Sequence, residues 1–412
     1  MWNKTSVGWD YFIVENHTCL LYRSNNLTII MKQKLVRLTT ISVSLNSLLK
    51  GQLRFLSNYY DIVGVASDFD TGQLQEVVEH EGIRCVDIPI YREISLFNDV
   101  VSLWKLILFF RKERPYIVHA NTPKGSLLAM VAAWIVCVPH RIYTVTGLRF
   151  ETTAGRLKWL LVTMEKITCW CATKVIPEGE GVKRVLIANH ITNKPLRVIL
   201  NGNINGVDAV YYSRSEEVMR KVKTIKDEDT FNFIFVGRLV KDKGINELVR
   251  AFFRLLKLYP NLRLHLVGGF ERELDPLACD VEQAIKQNEA IIAWGFQMDV
   301  RPFFAAADVL VFPSYREGFP NVVLQAGVME LPSIVTDING CNEIIQDGVN
   351  GKIIPPRDEG ALYKMMKWFY EHRDDEVKAM AKRARPMIVE RYEQHKVWEA
   401  LLEEYRSLDN NA

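Results

Sequence analysis

From residue 35 onward the chain alternates short apolar, β-rich runs with helical runs, and this alternation limits its fold more than any other feature. Strand-like runs fall at 35–40, 61–66, 84–88, 116–119, 141–145, 174–176 and 197–199. Helical patterns lie between them, at 47–58, 72–81, 98–113, 124–137 and 156–171. A second series places strands near 231–236, 262–267, 290–293, 308–312 and 333–336, again separated by helices. Strands that alternate with helices at this spacing imply parallel sheets with both faces covered. Between the series lies the turn-rich stretch Asn201-Gly-Asn-Ile-Asn-Gly206, followed by the charged segment Lys221 to Asp229. The hinge therefore falls between about 200 and 230. The expected fold is α/β, with two doubly wound domains facing each other. Ligands bind beyond the carboxyl ends of parallel strands, so both binding edges would share one cleft.

Composition fits this reading and excludes others. With 412 residues, 48% of them hydrophobic and 25% charged, the chain can bury real cores and is neither disordered nor of low complexity. Lys plus Arg is 52 against 49 for Asp plus Glu, a net charge of +3 that gives no global signature of nucleic-acid binding. Seven cysteines, at 19, 85, 137, 169, 171, 279 and 341, are too scattered for a disulfide framework and suit reduced thiols in the cytoplasm. The longest apolar run, Leu127 to Val138, is too short for a membrane span and suits a buried helix. Residues 1–30 lack the basic start and apolar centre of a signal peptide. They read as an extension or a misassigned start, with Met31 as the expected true start just before the first strand.

Two loops carry the chemistry. The first, Gly237-Arg238-Leu-Val-Lys241-Asp-Lys243-Gly244, leaves a buried strand and enters the helix Ile245 to Leu256. Gly237 lets backbone approach a ligand, the helix start offers free N–H groups, and Arg238 and Lys243 add cations. Together they suit a diphosphate without a metal; a tight turn with solvated charges is the plainer alternative. The second, Phe312-Pro-Ser-Tyr-Arg-Glu317-Gly318-Phe319-Pro320, also joins a strand to a helix, with Gln325 about two helical turns inside. A carboxylate and an amide so placed could hold sugar hydroxyls; a capping glutamate and a surface glutamine would look the same.

The two loops, their order and their separation make the C-terminal half resemble the retaining glycosyltransferases of family 4. The matching residues are Gly237-Arg238…Lys243-Gly244, Leu266-Val-Gly268-Gly269, Trp294-Gly295-Phe296, Ala306-Ala-Asp308 through Ser314, Glu317-Gly-Phe-Pro320 and Asp337-Ile-Asn-Gly340-Cys-Asn-Glu343. The resemblance extends more weakly over most of 31–405. It implies the GT-B fold, two Rossmann-like domains, with an acceptor domain at 31–205 and a nucleotide-sugar domain at 206–388. Residues 389–412 would form a helix crossing back to the first domain. It further implies that Arg238 and Lys243 hold the donor diphosphate, that Glu317 contacts the transferred sugar, and that backbone at Gly318 and Phe319 meets phosphate. The family's ribose-binding glutamate falls on Gln325, which keeps an acceptor oxygen but loses the charge.

In the N-terminal half, Tyr116-Ile-Val-His119-Ala-Asn121-Thr-Pro123 resembles the loop entering the family's active site, where many relatives carry a second His at the place of Asn121. His119 is then either a catalytic group at the edge of the site or a satisfied structural histidine. Thr146, Gly147 and Arg149 belong to the next strand-end loop and would face the acceptor. This loop and Ile199 to Asp208 are similar to the branch that builds bacterial capsule and O-antigen units. The partners implied are a nucleotide-sugar donor, most simply a UDP-sugar, and a glycan or polyprenyl-diphosphate-linked sugar acceptor. No metal, other cofactor or nucleic acid is implied. The resemblance places the enzyme in the cytoplasm at the inner membrane face. Trp104 to Arg114 and Arg156 to Leu161 are the stretches that could touch that membrane, though core helices with solvated ends read the same way. A non-catalytic subunit that binds nucleotide sugar, or an epimerase or phosphorylase sharing the fold, stays open at this point.

Overall fold

In the computed structural model the described residues are 32–408 apart from 93, 94, 228 and 274, together with the backbone of four short strands before them. Those strands, β1 to β4 (Asn3–Lys4, Asp10–Val14, Thr18–Arg23 and Asn26–Met31), pair antiparallel in sequence order. The expectation of an extension over 1–30 otherwise lies outside the described residues.

The first parallel sheet uses β5 to β10: Lys34–Ile41, Asp61–Ser67, Arg84–Asp87, Ile117–Ala120, His140–Val145 and Lys174–Pro177. Its order is β10-β9-β8-β5-β6-β7. The second uses β11 to β16: Phe231–Val236, Leu262–Val267, Ile291–Gly295, Val309–Phe312, Ser333–Thr336 and Gly351–Ile354. Its order is β13-β12-β11-β14-β15-β16, the same topology. The central strands are buried along almost their whole length because helices cover both of their faces. All six residues of Phe231–Val236 are buried, as are all four of Val309–Phe312. Helix Ile245–Leu256 buries Ile245, Leu248, Val249, Phe252 and Leu255, a 3.6-residue stripe that lies on this sheet. In both sheets the chain order reverses beside the first strand, between β5 and β8 and between β11 and β14. That reversal opens a crevice at the carboxyl ends.

Three local expectations are corrected. Residues 197–199 form no strand. Lys194 anchors the preceding turn by donating to the carbonyls of Cys169 and Trp170 at 2.6 and 2.9 Å, and after Pro195 only Leu196 bridges to Val175 before the chain leaves the sheet. The helical run at 47–58 is two helices, Ser42–Leu48 and Gln52–Ser57, broken where Gly51 takes φ +79°. Strand β16 was not foreseen, because an edge strand of four residues beginning with Gly351 carries little β pattern.

The last helix, Gln394–Arg406, leaves the C-terminal domain and packs on the N-terminal sheet. Leu401, Leu402 and Tyr405 join Leu35, Leu53, Ile62 and Ile117 in one core. The chain thus crosses between domains twice, at 199–206 and again near Glu393, where Val207 and Glu393 form a bridge.

Candidate active site

The two chemistry-bearing loops meet over the crevice between β11 and β14. The first follows β11 and ends at helix Ile245–Leu256; the second follows β14 and ends at helix Asn321–Val328. They place Lys243 Nζ against the Glu317 carboxylate, and Ser314 Oγ donates to the same Glu317 oxygen at 2.8 Å. Lys243 also lies over the Phe312 ring, 5.4 Å from its centroid. Both charged groups are largely buried, so each is held by the other and by a fixed apolar floor. A buried pair of this kind fixes geometry more than it adds stability, because desolvation offsets the attraction.

Arg238 stands apart from this pair. Its guanidinium is 52% exposed and donates to Glu271, beyond β12, at 2.6 Å. Gln325 lies in the second turn of helix Asn321–Val328, half-buried, and its side-chain amide has no hydrogen bond among the described residues. Phe319 is buried, its ring 5.5 Å from that of Tyr392.

The N-terminal domain comes up directly against Glu317 and Gly318. A Cβ on Gly318 would lie 2.5 Å from the Gly147 nitrogen and 2.8 Å from the Thr146 carbonyl carbon, so only glycine allows this approach. Arg316 Nε donates to Thr152 Oγ1 at 3.2 Å, and Asn339 Nδ2 to Glu151 at 3.1 Å. Glu343 accepts from the amides of Glu180 and Gly181 at 2.7 and 2.9 Å. It thereby caps helix Glu180–Ala188 of the opposite domain. Asn203 Nδ2 donates to Asn321 Oδ1 at 2.7 Å, tying the crossover to the start of the Gln325 helix.

His119 is placed inside the N-terminal domain with both ring nitrogens engaged. Nδ1 shares a 2.6 Å hydrogen bond with Tyr405 and Nε2 a 2.7 Å bond with Thr144. Burial, and then the nearby Arg37 charge, push its pKa well below the usual histidine value. Both ring nitrogens are thus occupied, and the ring pins the last helix to the sheet, as the structural reading of His119 expects. Asn121 accepts from Arg37 at 3.0 Å, while its own Nδ2 is buried without a partner among the described residues. Thr146 Oγ1 donates to the Asn121 carbonyl at 3.2 Å, which joins the two strand-end loops of the N-terminal domain. Arg149 is exposed and has no side-chain partner among the described residues.

Sequence reasoning missed Glu178. It follows β10 directly, is 7% exposed, and has its carboxyl oxygen 2.7 Å from where a Cβ on Gly318 would stand. Burial, reinforced by Glu317 and Glu343, pushes its pKa up to about 8. The available signal was its position: a strand-end residue next to the apolar run Val175-Ile-Pro177 belongs at the crevice.

Comparison with known proteins identifies the scaffold. Residues 58–202 match the family described as glycosyl transferase 4-like domain, and residues 230–372 match glycosyl transferases group 1. The chain is also 32% identical over 378 residues to the capsular polysaccharide biosynthesis glycosyltransferase CapM of Staphylococcus aureus, covering 91% of this chain and 97% of that one. The chain is a group 1 glycosyltransferase. This glycosyltransferase is also 28% identical over 300 residues to an Escherichia coli UDP-Gal:alpha-D-GlcNAc-diphosphoundecaprenol alpha-1,3-galactosyltransferase, covering 70% of this chain and 75% of that one. Its fold is that of Anabaena Alr3699/HepE, solved in complex with UDP-glucose, at a TM-score of 0.74 and 17% identity over 91% of this chain and 99% of that one. The enzyme therefore has the GT-B fold.

Proposed function

We propose that the enzyme moves a sugar from a UDP-sugar to a polyprenyl-diphosphate-linked sugar, with the anomeric configuration retained. The observation that carries this reading is the Lys243–Glu317 pair, held where the strand order of the C-terminal sheet reverses and faced by the Thr146–Gly147 loop. Lys243, Arg238 and the start of helix Ile245–Leu256 would hold the diphosphate; Gly318 and Phe319 would offer it backbone N–H groups. Glu317 would accept hydroxyl bonds from the transferred sugar, and Gln325 would meet the ribose. The bond from the anomeric carbon to phosphate breaks as the bond to the acceptor oxygen forms on the same face. The acceptor's hydroxyl proton passes to the departing phosphate oxygen. Cations fixed before the reaction stabilise the charge that develops there, which removes the need for a divalent ion. Asn121, Thr146, Gly147 and Arg149 would line the acceptor side.

The acceptor's lipid gives a role to one face of the N-terminal domain. Trp104, Trp159 and Trp170 are 58%, 70% and 64% exposed on helices Leu96–Glu113 and Gly155–Cys171. Leu96 and Phe97 are also exposed, and Lys105, Arg156 and Lys158 lie among them. Aromatic rings mixed with cations suit the interface of an anionic bilayer. Among the described residues no helix is long and apolar enough to cross it.

The test is product analysis. The enzyme is given a panel of nucleotide sugars with a short-chain polyprenyl-diphosphate sugar, and the product is read by mass spectrometry and NMR of the new anomeric centre. Nucleotide release that needs the acceptor, with an anomeric configuration unchanged from the donor, is expected. Nucleotide release without acceptor dependence, or an inverted product, would overturn the proposal. A non-catalytic sugar-binding subunit would bind donor and release nothing.

A further inference from the structure

Glu178 is a buried carboxyl at the contact between two domains, and no described residue makes a hydrogen bond or ion pair with its side chain. Its backbone is fixed on both sides: its N–H donates to the Val145 carbonyl at 2.9 Å, and its own carbonyl accepts from Asn203 at 2.8 Å. The main chain that carries the carboxyl is therefore anchored at the contact. On one side it borders a cavity of about 20 Å³ shared with His119, Thr144 and Asn203, room for about one water molecule. On the other side it abuts Gly318, whose backbone in turn abuts Gly147.

The charges around it have one dominant sign. Glu317 approaches from the second loop and Glu343 from the helix Cys341–Ile344. Lys243 is committed to Glu317, and Arg391 donates to the Glu343 backbone carbonyl at 2.6 Å. His119, across the cavity, is held neutral by burial, and the nearby Cys341 thiol has its pKa pushed up. No described cation is placed to pair with an ionised Glu178. Protonated, it can sit in this contact; ionised, it adds a third negative charge around Gly318 at a largely buried position.

We infer that Glu178 is a positioning residue, a proton latch that lets the Thr146–Gly147 loop and the Glu317–Gly318 loop close on each other when its carboxyl is neutral and drives them apart when it ionises. The latch rests on the proposed reading only in that Glu317 serves the donor sugar; the loop contact itself is a feature of the fold. Any anion bound beside Glu317, such as a diphosphate, would strengthen the neutral form further. Closure and donor loading then favour the same protonation state.

The direct test is hydrogen–deuterium exchange on the whole chain, corrected for intrinsic rates, following peptides that cover 144–150 and 314–321 from pH 6 to 10. Wild-type protection in both peptides should fall about tenfold per pH unit from pH 6 to the midpoint near pH 8 and level off above it, because the closed form holds a proton that the open form has already released. Glu178→Gln keeps the size and removes the charge, and should hold its protection to pH 10. Glu178→Leu, also uncharged, should do the same. Loss of protection in both variants along with the wild type, or no loss in the wild type, would overturn the latch. In parallel, kcat/KM for a UDP-sugar should show an alkaline limb that Glu178→Gln removes. If the exchange result holds while no variant turns over any nucleotide sugar, the donor assignment fails and the latch stands.

Discussion

Replacing Gly318 by alanine should separate catalysis from folding. The added methyl would stand 2.5 Å from the Gly147 nitrogen, 2.7 Å from the Glu178 carboxyl and 2.8 Å from the Thr146 carbonyl carbon. Comfortable contacts for these pairs are roughly 3.5 Å, so the loops must part by about 1 Å. Two of the three atoms are backbone and cannot yield locally. Each domain core lies elsewhere and keeps its packing. A displacement of this size between groups that must cooperate lowers rate by about a hundredfold, or about 2.7 kcal/mol of transition-state stabilisation. The assay is kcat/KM with the donor and acceptor found by product analysis, beside a urea unfolding curve. Gly360→Ala is the control, since the nearest atom to its new methyl is the Asp358 carboxyl at 3.3 Å. A Gly318→Ala enzyme with wild-type kcat/KM would show that the interdomain approach is not needed for transfer and would refute the reasoning. A loss of activity matched by a large fall in unfolding midpoint would assign the effect to stability instead.

Lys243→Ala should lower turnover by tens-fold, since a charge-assisted bond to phosphate is worth about 1.5–3 kcal/mol. Arg238→Ala should do the same to a smaller extent, because its guanidinium is half exposed and shared with Glu271; both are read from steady-state kinetics. Activity should persist in excess chelator, and loss that Mg²⁺ or Mn²⁺ restores would overturn the cationic account of the diphosphate site. Gln325→Ala should raise the UDP dissociation constant severalfold by calorimetry, whereas Glu317→Ala should act mainly on kcat. Glu165, buried and accepting from Tyr143 at 2.9 Å, has its pKa raised to about 7 by burial. The folded chain thus keeps a proton that the unfolded chain releases above its ordinary carboxyl range, and stability falls as pH rises toward 7. Glu165→Gln should therefore gain on the wild type by on the order of 1 kcal/mol per pH unit between pH 5 and 7, measured as urea midpoints.

Much of this architecture was legible because parallel sheets write themselves as apolar runs. Phe231–Val236 and Val309–Phe312 can only be central strands, and the loops that follow them must lie at the crevice. The placement of Glu317 and Lys243 at the crevice follows for the same reason, each sitting a few residues past such a run. What the sequence hid depends on partners far away in the chain. His119 becomes structural only because Tyr405, which follows it by 286 residues, returns across the domain boundary to take Nδ1. Glu178 looks like any polar residue after a strand until Gly318 closes over it. Arg238 and Lys243 look equivalent in sequence, and only Glu271 and Glu317 tell them apart. The run 197–199 has strand composition, but the Lys194 anchor and Pro195 steer it away from the sheet.

The contacts across the cleft explain why so few charged groups can do so much. Glu343 caps a helix of the opposite domain, Arg316 reaches Thr152, and Asn203 holds the start of the helix that carries Gln325. Each of these joins a residue of the C-terminal domain to a residue of the N-terminal domain or the crossover. None of them belongs to one domain alone. The positions of Glu317 and Gly318 relative to Thr146 and Gly147 are consequently set by the interdomain contact as much as by either sheet. A site built in this way loses its geometry when the domains part, even though every side chain keeps its place in its own domain. On the proposed reading Lys243 and Glu317 stay together in their own domain when the domains part, and what the open form loses is their alignment with the Thr146–Gly147 loop, so transfer needs the closed form.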